Sequence, residues 1–294
     1  MLAPGHAQAT NSYFETTAYA SDIWSKHTDT SWYTAHKSAK TYSLSTAQEL
    51  AGLAVLVTKK DVDFEGKTIV LAHDIDLEGH QWFPIGCNED NYWEMSPFKG
   101  TFDGRGHTID NLYIENGWHG QALFGEVVDG VLKNFTLKGS VTTGWQAAGV
   151  VAEMERTTLE NITSYCDVKT LFKSGDGGYA STAGGIVAYV VDVYVTRSGS
   201  TPSQLTGLVN YGSVEIAGIT EQGGGVGGIA GSLLQADDDL AIEVSHCENH
   251  GSVTARASNY ADVYVKGAGG IVGMDDDAHA RAHATVAVLV ERIV

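Results

Sequence analysis

Three ionisable side chains lie close together in the glycine-rich stretch FKGTFDGRGHTIDNLYI, residues 98–114. Asp103, Arg105 and His107 would supply an acid, a cation and a base for catalysis if they met in one concave site. The glycines between them, however, supply the positive φ angles that a tight turn needs. The sequence identifies no partner groups for the three side chains. We therefore predict a turn between two strands here, and no catalytic residue.

An aromatic and polar segment offers a different chemistry. Residues 87–97, CNEDNYWEMSP, interrupt the strand pattern and contain Tyr92 and Trp93, and Trp118 and Trp145 follow later in the chain. Exposed aromatic rings stack on the faces of sugars, and neighbouring polar side chains hydrogen-bond sugar hydroxyls. These four residues are therefore candidate glycan-binding residues. The alternative is that their rings pack inside the first turns of the fold.

Two runs of three aspartates could hold a hard cation such as Ca²⁺ if their loops project from the same side. The six candidate ligands are Asp237, Asp238, Asp239, Asp275, Asp276 and Asp277. Consecutive aspartates more often form solvated loops, and we favour that interpretation. We predict no bound cofactor, with Ca²⁺ as the open alternative.

Two Asn-x-Thr sequons, Asn134-Phe-Thr and Asn161-Ile-Thr, fall between repeated segments. Because both lie at strand edges, we predict that their asparagines form hydrogen bonds in turns.

Composition limits the partners of the chain. Among 294 residues, 36 acidic side chains face 18 basic ones, for a formal net charge of −18. Such an excess repels phosphate backbones and anionic lipid, so we expect no nucleic-acid partner. No apolar run approaches the roughly 20 residues of a membrane helix, so we predict no membrane insertion. Three widely spaced cysteines form no disulfide framework and are predicted to be buried apolar residues. We also predict that the protein is a monomer.

A repeat organises most of the chain. Small residues lead into alternating aliphatic residues in five segments: QALFGEV (121–127), AAGVVAEM (147–154), AGGIVAYV (183–190), VGGIAGSL (226–233) and AGGIVGMD (268–275). A second element follows each of the first four, and it contains Val141, Val168, Val214 and Val253. Successive valines are 27, 46 and 39 residues apart. The shortest step suits one turn of a solenoid with three short strands, and the longer steps require inserted loops.

The fold class predicted from this repeat is all-β: a single right-handed parallel β-helix, or solenoid, over residues 45–274. A short N-terminal capping helix is predicted at 45–57, because STAQELAGLAVLV begins with capping-box spacing. Residues 1–44 contain no repeat and are predicted to form an irregular arm. Residues 275–294 lack a glycine turn and are predicted to form an atypical C-terminal segment.

Four strings near the start carry a family resemblance: LSTAQELAGLAVLV, DFEGKTIVLAHDIDLEGHQWFPIG, FKGTFDGRGHTIDNLYI and ALFGEVVDGVLKNFTLKGSV. They resemble the opening of the GLUG-repeat proteins of bacterial cell surfaces, and the AGGIV, VGGIAG and AGGIVG strings resemble the repeat itself. The resemblance spans residues 43–274. It implies a right-handed β-helix in a secreted or surface-exposed, adhesin-like protein, and it implies no catalytic residues.

Three functional hypotheses follow. The favoured one is a secreted or cell-surface adhesin-like module that binds glycan or extracellular matrix on a host surface. The main alternative is a β-helical polysaccharide lyase or glycoside hydrolase, which requires ionisable side chains from different coils to converge in a groove. A structural stalk of a larger surface protein is the third. A binding module would present exposed aromatic residues over a shallow polar trough, whereas a structural stalk would have no ligand site.

Overall fold

A computed structural model describes residues 23–59, 62–87, 96–117, 120–172, 181–192, 201–218, 224–235, 242–256, 265–275 and 281–282. The helical elements are a 3-10 helix (Trp24–Lys26), α1 (Ser31–Thr34) and α2 (Ala47–Thr58). The first twelve strands are β1 (Thr41–Leu44), β2 (Thr68–Leu71), β3 (Ile75–Asp76), β4 (Thr101–Asp103), β5 (Thr108–Gly117), β6 (Phe124–Val128), β7 (Val131–Thr143), β8 (Gln146–Ala148), β9 (Val151–Glu155), β10 (Thr158–Phe172), β11 (Thr182–Gly184) and β12 (Val187–Asp192). The others are β13 (Gln204–Thr206), β14 (Val209–Asn210), β15 (Val214–Gly218), β16 (Gly224–Gly227), β17 (Ala230–Gln235), β18 (Glu243–Ser245), β19 (Glu248–Asn249), β20 (Val253–Arg256), β21 (Val265–Gly269), β22 (Val272–Asp275) and β23 (Arg281–Ala282).

Within these ranges the strands form three parallel sheets. A 14-stranded sheet follows the order β1-β2-β4-β7-β10-β13-β18-β23, with β3, β5, β14, β15, β19 and β20 paired alongside that path. A five-stranded sheet contains β6, β9, β12, β17 and β22, and a four-stranded sheet contains β8, β11, β16 and β21. The prediction of a β-rich fold with parallel strands is therefore confirmed.

The chain visits the three sheets in rotation. It runs from β7 in the large sheet to β8 in the four-stranded sheet and β9 in the five-stranded sheet, and β10 then returns beside β7. We call each such passage a coil. Val141 pairs with Val168, Val168 with Val214, and Val214 with Val253. The register predicted from the repeated valines is thus confirmed, including the longer steps.

The core lies between the sheets and is filled by short aliphatic side chains and by phenylalanines near the N-terminal end. Alternation along the strands explains this core, because every second side chain points inward. Helix α2 packs into the same core through Leu50, Leu53 and Val57. Thr46 caps it, with the reciprocal Glu49 bond of a capping box, so the predicted helix is confirmed.

Both ends of the predicted β-helix carry strands. β1 falls within the predicted N-terminal arm and pairs with β2 in the large sheet. At the other end, β23 falls within the predicted atypical segment and pairs with β18. The large sheet therefore reaches into both flanking segments.

Paired glycines in the repeat make room for a buried asparagine row. A Cβ atom at Gly185 would lie 2.5 Å from the Cγ atom of Asn210, and one at Gly228 would lie 2.2 Å from the Cγ atom of Asn249. Asn210 is fully buried and donates to Asn249 Oδ1 at 2.8 Å. In these two Gly-Gly pairs, the second glycine is therefore required by a backbone carbonyl of the next coil and by the asparagine that packs against it.

The cysteines fit their predicted role. Cys87 and Cys166 are buried and Cys247 is partly buried, all as free thiols. Burial raises the pKa of the Cys166 thiol to about 12, which keeps it unreactive at neutral pH. In the part of the chain that the structure describes, no helix is long and apolar enough to cross a bilayer.

Candidate functional site

An open trough of about 530 Å³ lies at one corner of the large sheet. Its polar wall is formed by Asp103, Arg105, Asn134, Thr136, Asn161 and Thr163, and the backbone of Gly106 also lines it. These residues come from β4 and the turn after it, from β7 and from β10. Phe135, only 3% exposed, contributes to its floor. We use "the trough" for this surface; three successive coils build it.

The first row of the trough is a corner where the backbone is left-handed. Asn134 has φ 58° and Asn161 has φ 53°. Asparagine tolerates this conformation better than most residues do. Asn134 Nδ2 donates to Asp103 Oδ1 at 3.1 Å, and Asn161 Nδ2 donates to Asn134 Oδ1 at 3.4 Å. The two sequon asparagines were predicted to form hydrogen bonds in turns; the bonds observed instead link side chains of successive coils. Gly207 occupies the next coil with φ 64°, and the amide row ends there.

The second row is made of threonines. Thr108 pairs with Thr136 and Thr136 with Thr163, so their side chains repeat at the spacing of neighbouring strands, about 4.8 Å. Among the described residues, the Thr136 and Thr163 hydroxyls form no hydrogen bond. Val209 follows Thr163 in register, and the hydroxyl row ends at that coil.

The three residues of the glycine-rich stretch do not converge. Asp103 Oδ1 accepts the backbone N–H of Arg105 at 2.9 Å, which closes the turn. His107 Nδ1 lies 3.0 Å from Asp74 Oδ1. The hydrogen bond from the Thr108 backbone, followed by that from His107, lowers the pKa of Asp74. The prediction of a turn at this position is therefore confirmed.

Arg105 is the charged donor of the trough. It is exposed and has φ 52°. Its guanidinium forms no ion pair or hydrogen bond with any part of the chain that the structure describes.

A pair of carboxyl groups on the five-stranded sheet was not predicted. Glu126 and Glu153 are paired in register on neighbouring coils. Burial, followed by repulsion from Glu153 and Glu155, raises the pKa of Glu126 to about 7, and burial also raises the pKa of Glu153. The signal was present in the repeat, because both glutamates lie 27 residues apart in equivalent strings. Neither glutamate lines the trough.

A column of exposed rings crosses the outer face of the large sheet. The ring centroids of Tyr165 and Tyr211 are 4.8 Å apart with an 8° interplanar angle, and His250 stacks on Tyr211 at 4.8 Å and 14°. The rings occupy one another's faces, so the column offers mainly ring edges and hydroxyls to a partner.

Most of the predicted site residues lie outside the described residues. These are Tyr92, Trp93, Trp118, Asp237, Asp238, Asp239, Asp276 and Asp277. Asp275 ends β22, and Trp145 is half-buried just before β8, where its carbonyl oxygen accepts the Thr182 N–H at 3.1 Å. Trp145 does not line the trough. Within the described ranges, no three His, Cys, Asp or Glu side chains are grouped so that they could hold a metal ion.

Comparison with known proteins gives two similarities. No family model matches the chain. Over 69 residues the chain is 45% identical to Halomucin of Haloquadratum walsbyi. This aligned segment makes up 23% of this chain and 1% of Halomucin. A crystal structure from Bacteroides ovatus, provisionally named as an immunoglobulin A1 protease, aligns over 86% of this chain and 80% of that one. Its TM-score is 0.48 and its identity 16%, values too low to support a conclusion about function. The resemblance to GLUG-repeat proteins stays a prediction.

Proposed function

We propose that the protein is a secreted or cell-surface, adhesin-like module that binds a glycan in the trough. One observation carries the proposal: three successive coils bring amides, hydroxyls and a guanidinium to one open surface, where the Thr136 and Thr163 hydroxyls and the Arg105 guanidinium have no partner in the described part of the chain. Polar side chains that are held in place but unpaired are the groups that a polar ligand can bond.

A glycan suits this arrangement better than an apolar ligand does. Sugar hydroxyls both donate and accept hydrogen bonds, as do the Thr136 and Thr163 hydroxyls and the amide of Asn161. The rows repeat at the coil spacing and end after three coils, so the trough is about 10 Å long in the stacking direction. We expect a short segment of an oligosaccharide to lie along it.

The geometry of the trough favours binding over catalysis. Asp103 uses its carboxylate to accept two hydrogen bonds from its own turn and from Asn134, and His107 pairs with Asp74 outside the trough. Glycoside hydrolysis needs two carboxyl groups that flank the scissile bond. The registered pair Glu126 and Glu153 lies on a different sheet from the trough. In a stalk without a ligand the unpaired groups of the trough would be hydrated only, so a binding measurement separates the two hypotheses.

We further propose that the coils form a single right-handed β-helix and that the protein is located outside the cell or on its surface. Connections between parallel strands of one sheet are right-handed in about 98% of cases, which supports a single right-handed β-helix. The local similarity to Halomucin and the GLUG resemblance support a place outside the cell or on its surface. A crystal structure that showed left-handed coils would contradict the fold part of the proposal.

A glycan-array screen of residues 1–294, with and without Ca²⁺, tests the proposal. The affinity of every ligand found is then measured by calorimetry for the wild type and for the double variant Thr136→Val, Thr163→Val. We expect this double variant to lose about tenfold in affinity, or about 1.4 kcal/mol, because it removes two hydroxyls and keeps the side-chain shape. Thr142→Val, in β7 but outside the trough, is the matched control. No binding to any glycan, or equal affinity in all three proteins, would contradict the proposal.

The aromatic residues predicted from the sequence are tested in the same assay. Trp93→Ala, Trp118→Ala is expected to weaken binding if those rings stack on the glycan that occupies the trough. Unchanged affinity in this variant, with lost affinity in the threonine variant, would confine the site to the trough.

A further inference from the structure

The partner of the trough can be narrowed to one class of sugar. We infer that Arg105 selects acidic glycans, and that the trough binds a sugar residue carrying a carboxylate or sulfate group against its guanidinium. This inference rests on the proposed glycan-binding function and adds the charge of the ligand.

Arg105 forms no ion pair with the described residues. Acidic residues outnumber basic ones two to one in this chain, 36 to 18. Lys99, Lys138, Lys169 and Arg156 form ion pairs with carboxylates, although other exposed basic residues such as Lys40 do not pair within the described ranges. Arg156 illustrates this, since its Nε and Nη2 atoms donate to the two carboxylate oxygens of Asp129 at 2.7 and 3.0 Å. Arg105, by contrast, has no acidic partner among the described residues. Its nearest acid in the chain, Asp103, directs its carboxylate at backbone and amide N–H groups instead.

Arg105 lies on the turn in a backbone conformation that is unfavourable for a residue with a side chain. Its φ of 52° is followed by 84° at Gly106, so two successive residues are left-handed. Such a conformation costs a residue with a side chain about 1–2 kcal/mol, and Gly or Asn would satisfy the turn with less strain. Nothing lies within 4 Å of the place where a Cβ of Gly106 would stand. The turn therefore holds an arginine beside open space at the edge of the trough.

The chemistry of the guanidinium defines the ligand. Its planar set of N–H donors matches the paired oxygens of a carboxylate or sulfate and binds them more tightly than it binds a hydroxyl. Glu160 lies next to Asn161 and would repel an anion at the far end of the trough. The Arg105 end also carries the Asp103 carboxylate, whose Oδ1 atom accepts two hydrogen bonds from the protein. Because Arg105 is the cation of the trough, we place the acidic group on its guanidinium, while neutral hydroxyls of the sugar face Thr136 and Thr163.

The net charge of the protein opposes any anion at long range. A charge of −18 repels acidic polysaccharides in dilute buffer. At about 0.15 M salt the screening length is about 8 Å, so the distant carboxylates count for little while direct contacts with Arg105 remain. The inference therefore applies at moderate salt, and its test is made there.

Calorimetry with the full chain at about 0.15 M salt tests the inference. The ligands are a hexuronic-acid oligosaccharide, its carboxyl-reduced neutral form and a sulfated derivative of that neutral form. We expect at least one acidic form to bind about tenfold more tightly than the neutral one, and the preferred acid identifies the group. Arg105→Gln is expected to weaken the binding of the preferred acidic form about tenfold more than that of the neutral form, and Arg105→Lys to keep part of the preference. Lys169→Gln removes the same charge outside the trough and is expected to change nothing.

The outcomes separate this inference from the proposed function. If the neutral form binds as well as the acidic forms, or if Arg105→Gln weakens all ligands alike, the inference is wrong while glycan binding stands. If no glycan binds, or if the threonine double variant binds like the wild type, the proposed function fails and this inference fails with it.

Discussion

Two asparagine rows follow the same coil spacing, and they differ in what their amides bond. In the buried row, Asn210 Nδ2 donates to Gly212 O and to Asn249 Oδ1, both at 2.8 Å, and Asn210 Oδ1 accepts the Gly212 N–H at 3.2 Å. In the trough, Asn161 is exposed, and its two amide contacts are long, at 3.3 and 3.4 Å.

The difference separates a structural role from a binding role for one residue type. Unpaired polar groups are costly when buried, so the fold supplies partners for Asn210 and glycines that make room for it. The same groups are hydrated at the surface, where a ligand can replace the water. The trough is thus a region of the described chain where exposed polar side chains keep unused bonding capacity.

The largest expected effect is on the buried row. Asn210→Ala removes three hydrogen bonds, leaves the buried N–H and C=O groups of Gly212 without their side-chain partner, and takes one of two donors from Asn249 Oδ1. We expect a loss of roughly 3–4 kcal/mol in the free energy of unfolding, measured by chemical denaturation. Asn161→Ala, the matched change in the trough, is expected to cost only about 1 kcal/mol, most of it because alanine tolerates the φ of 53° less well than asparagine does. Similar costs in both variants would remove the distinction between the two rows.

The next effect concerns the glycines of the two regions. In Gly185→Ala the new Cβ would lie 2.2 Å from Gly228 O and 2.5 Å from the Cγ atom of Asn210. We expect a loss of about 3 kcal/mol, because backbone and a hydrogen-bonded side chain must both shift. Gly106→Ala meets nothing within 4 Å and has φ 84°, so it is expected to cost only about 1–2 kcal/mol. Thermal unfolding of both variants checks the order, and the reverse order would refute the packing explanation.

These positions show how far the sequence could predict the fold. The repeated valines predicted the register, because each inward position meets the same position in the next coil. The reason for the paired glycines could not be read from the repeat alone. Asn210 lies 25 residues from Gly185 in the chain, and only the folded coil brings the two together.

The trough was less predictable than the fold. Asn134 and Asn161 were noticed as sequons, and Asp103 with Arg105 as a turn, but nothing in the sequence joined them into one surface. That required the register between β7 and β10, which places Thr136 beside Thr163. The predicted aromatic and aspartate sites lie mostly outside the described residues and stay predictions.

A pH-dependent effect on stability, of similar size at most, is expected from the five-stranded sheet. The pKa of Glu126 is raised from 4.5 to about 7 in the folded protein, so the folded state holds a proton that the unfolded state has lost between these values. The contribution of this proton to the free energy of unfolding is fully present below about pH 4.5 and is lost as the pH rises through about 7. At about 1.4 kcal/mol per pKa unit, the rise from 4.5 to about 7 amounts to at most about 3.5 kcal/mol.

Unfolding of Glu126→Gln between pH 5 and 8 measures this effect. We expect the variant to be more stable than the wild type at pH 8 and to show a flatter pH profile. Glu65→Gln, at an exposed turn, serves as the control and should keep the wild-type profile. A wild-type stability that rises between pH 5 and 8 in parallel with that of Glu126→Gln would contradict the assignment.

The central claim is that the unpaired groups of the trough bind the ligand, and threonine methyl NMR tests it most directly. The full chain, with labelled threonine methyl groups, is titrated with a glycan found in the array screen. The account predicts that the largest shifts occur at Thr136 and Thr163, with Thr142 and Thr254 unchanged. Shifts confined to threonines outside the trough, with Thr136 and Thr163 unmoved at saturating ligand, would contradict it.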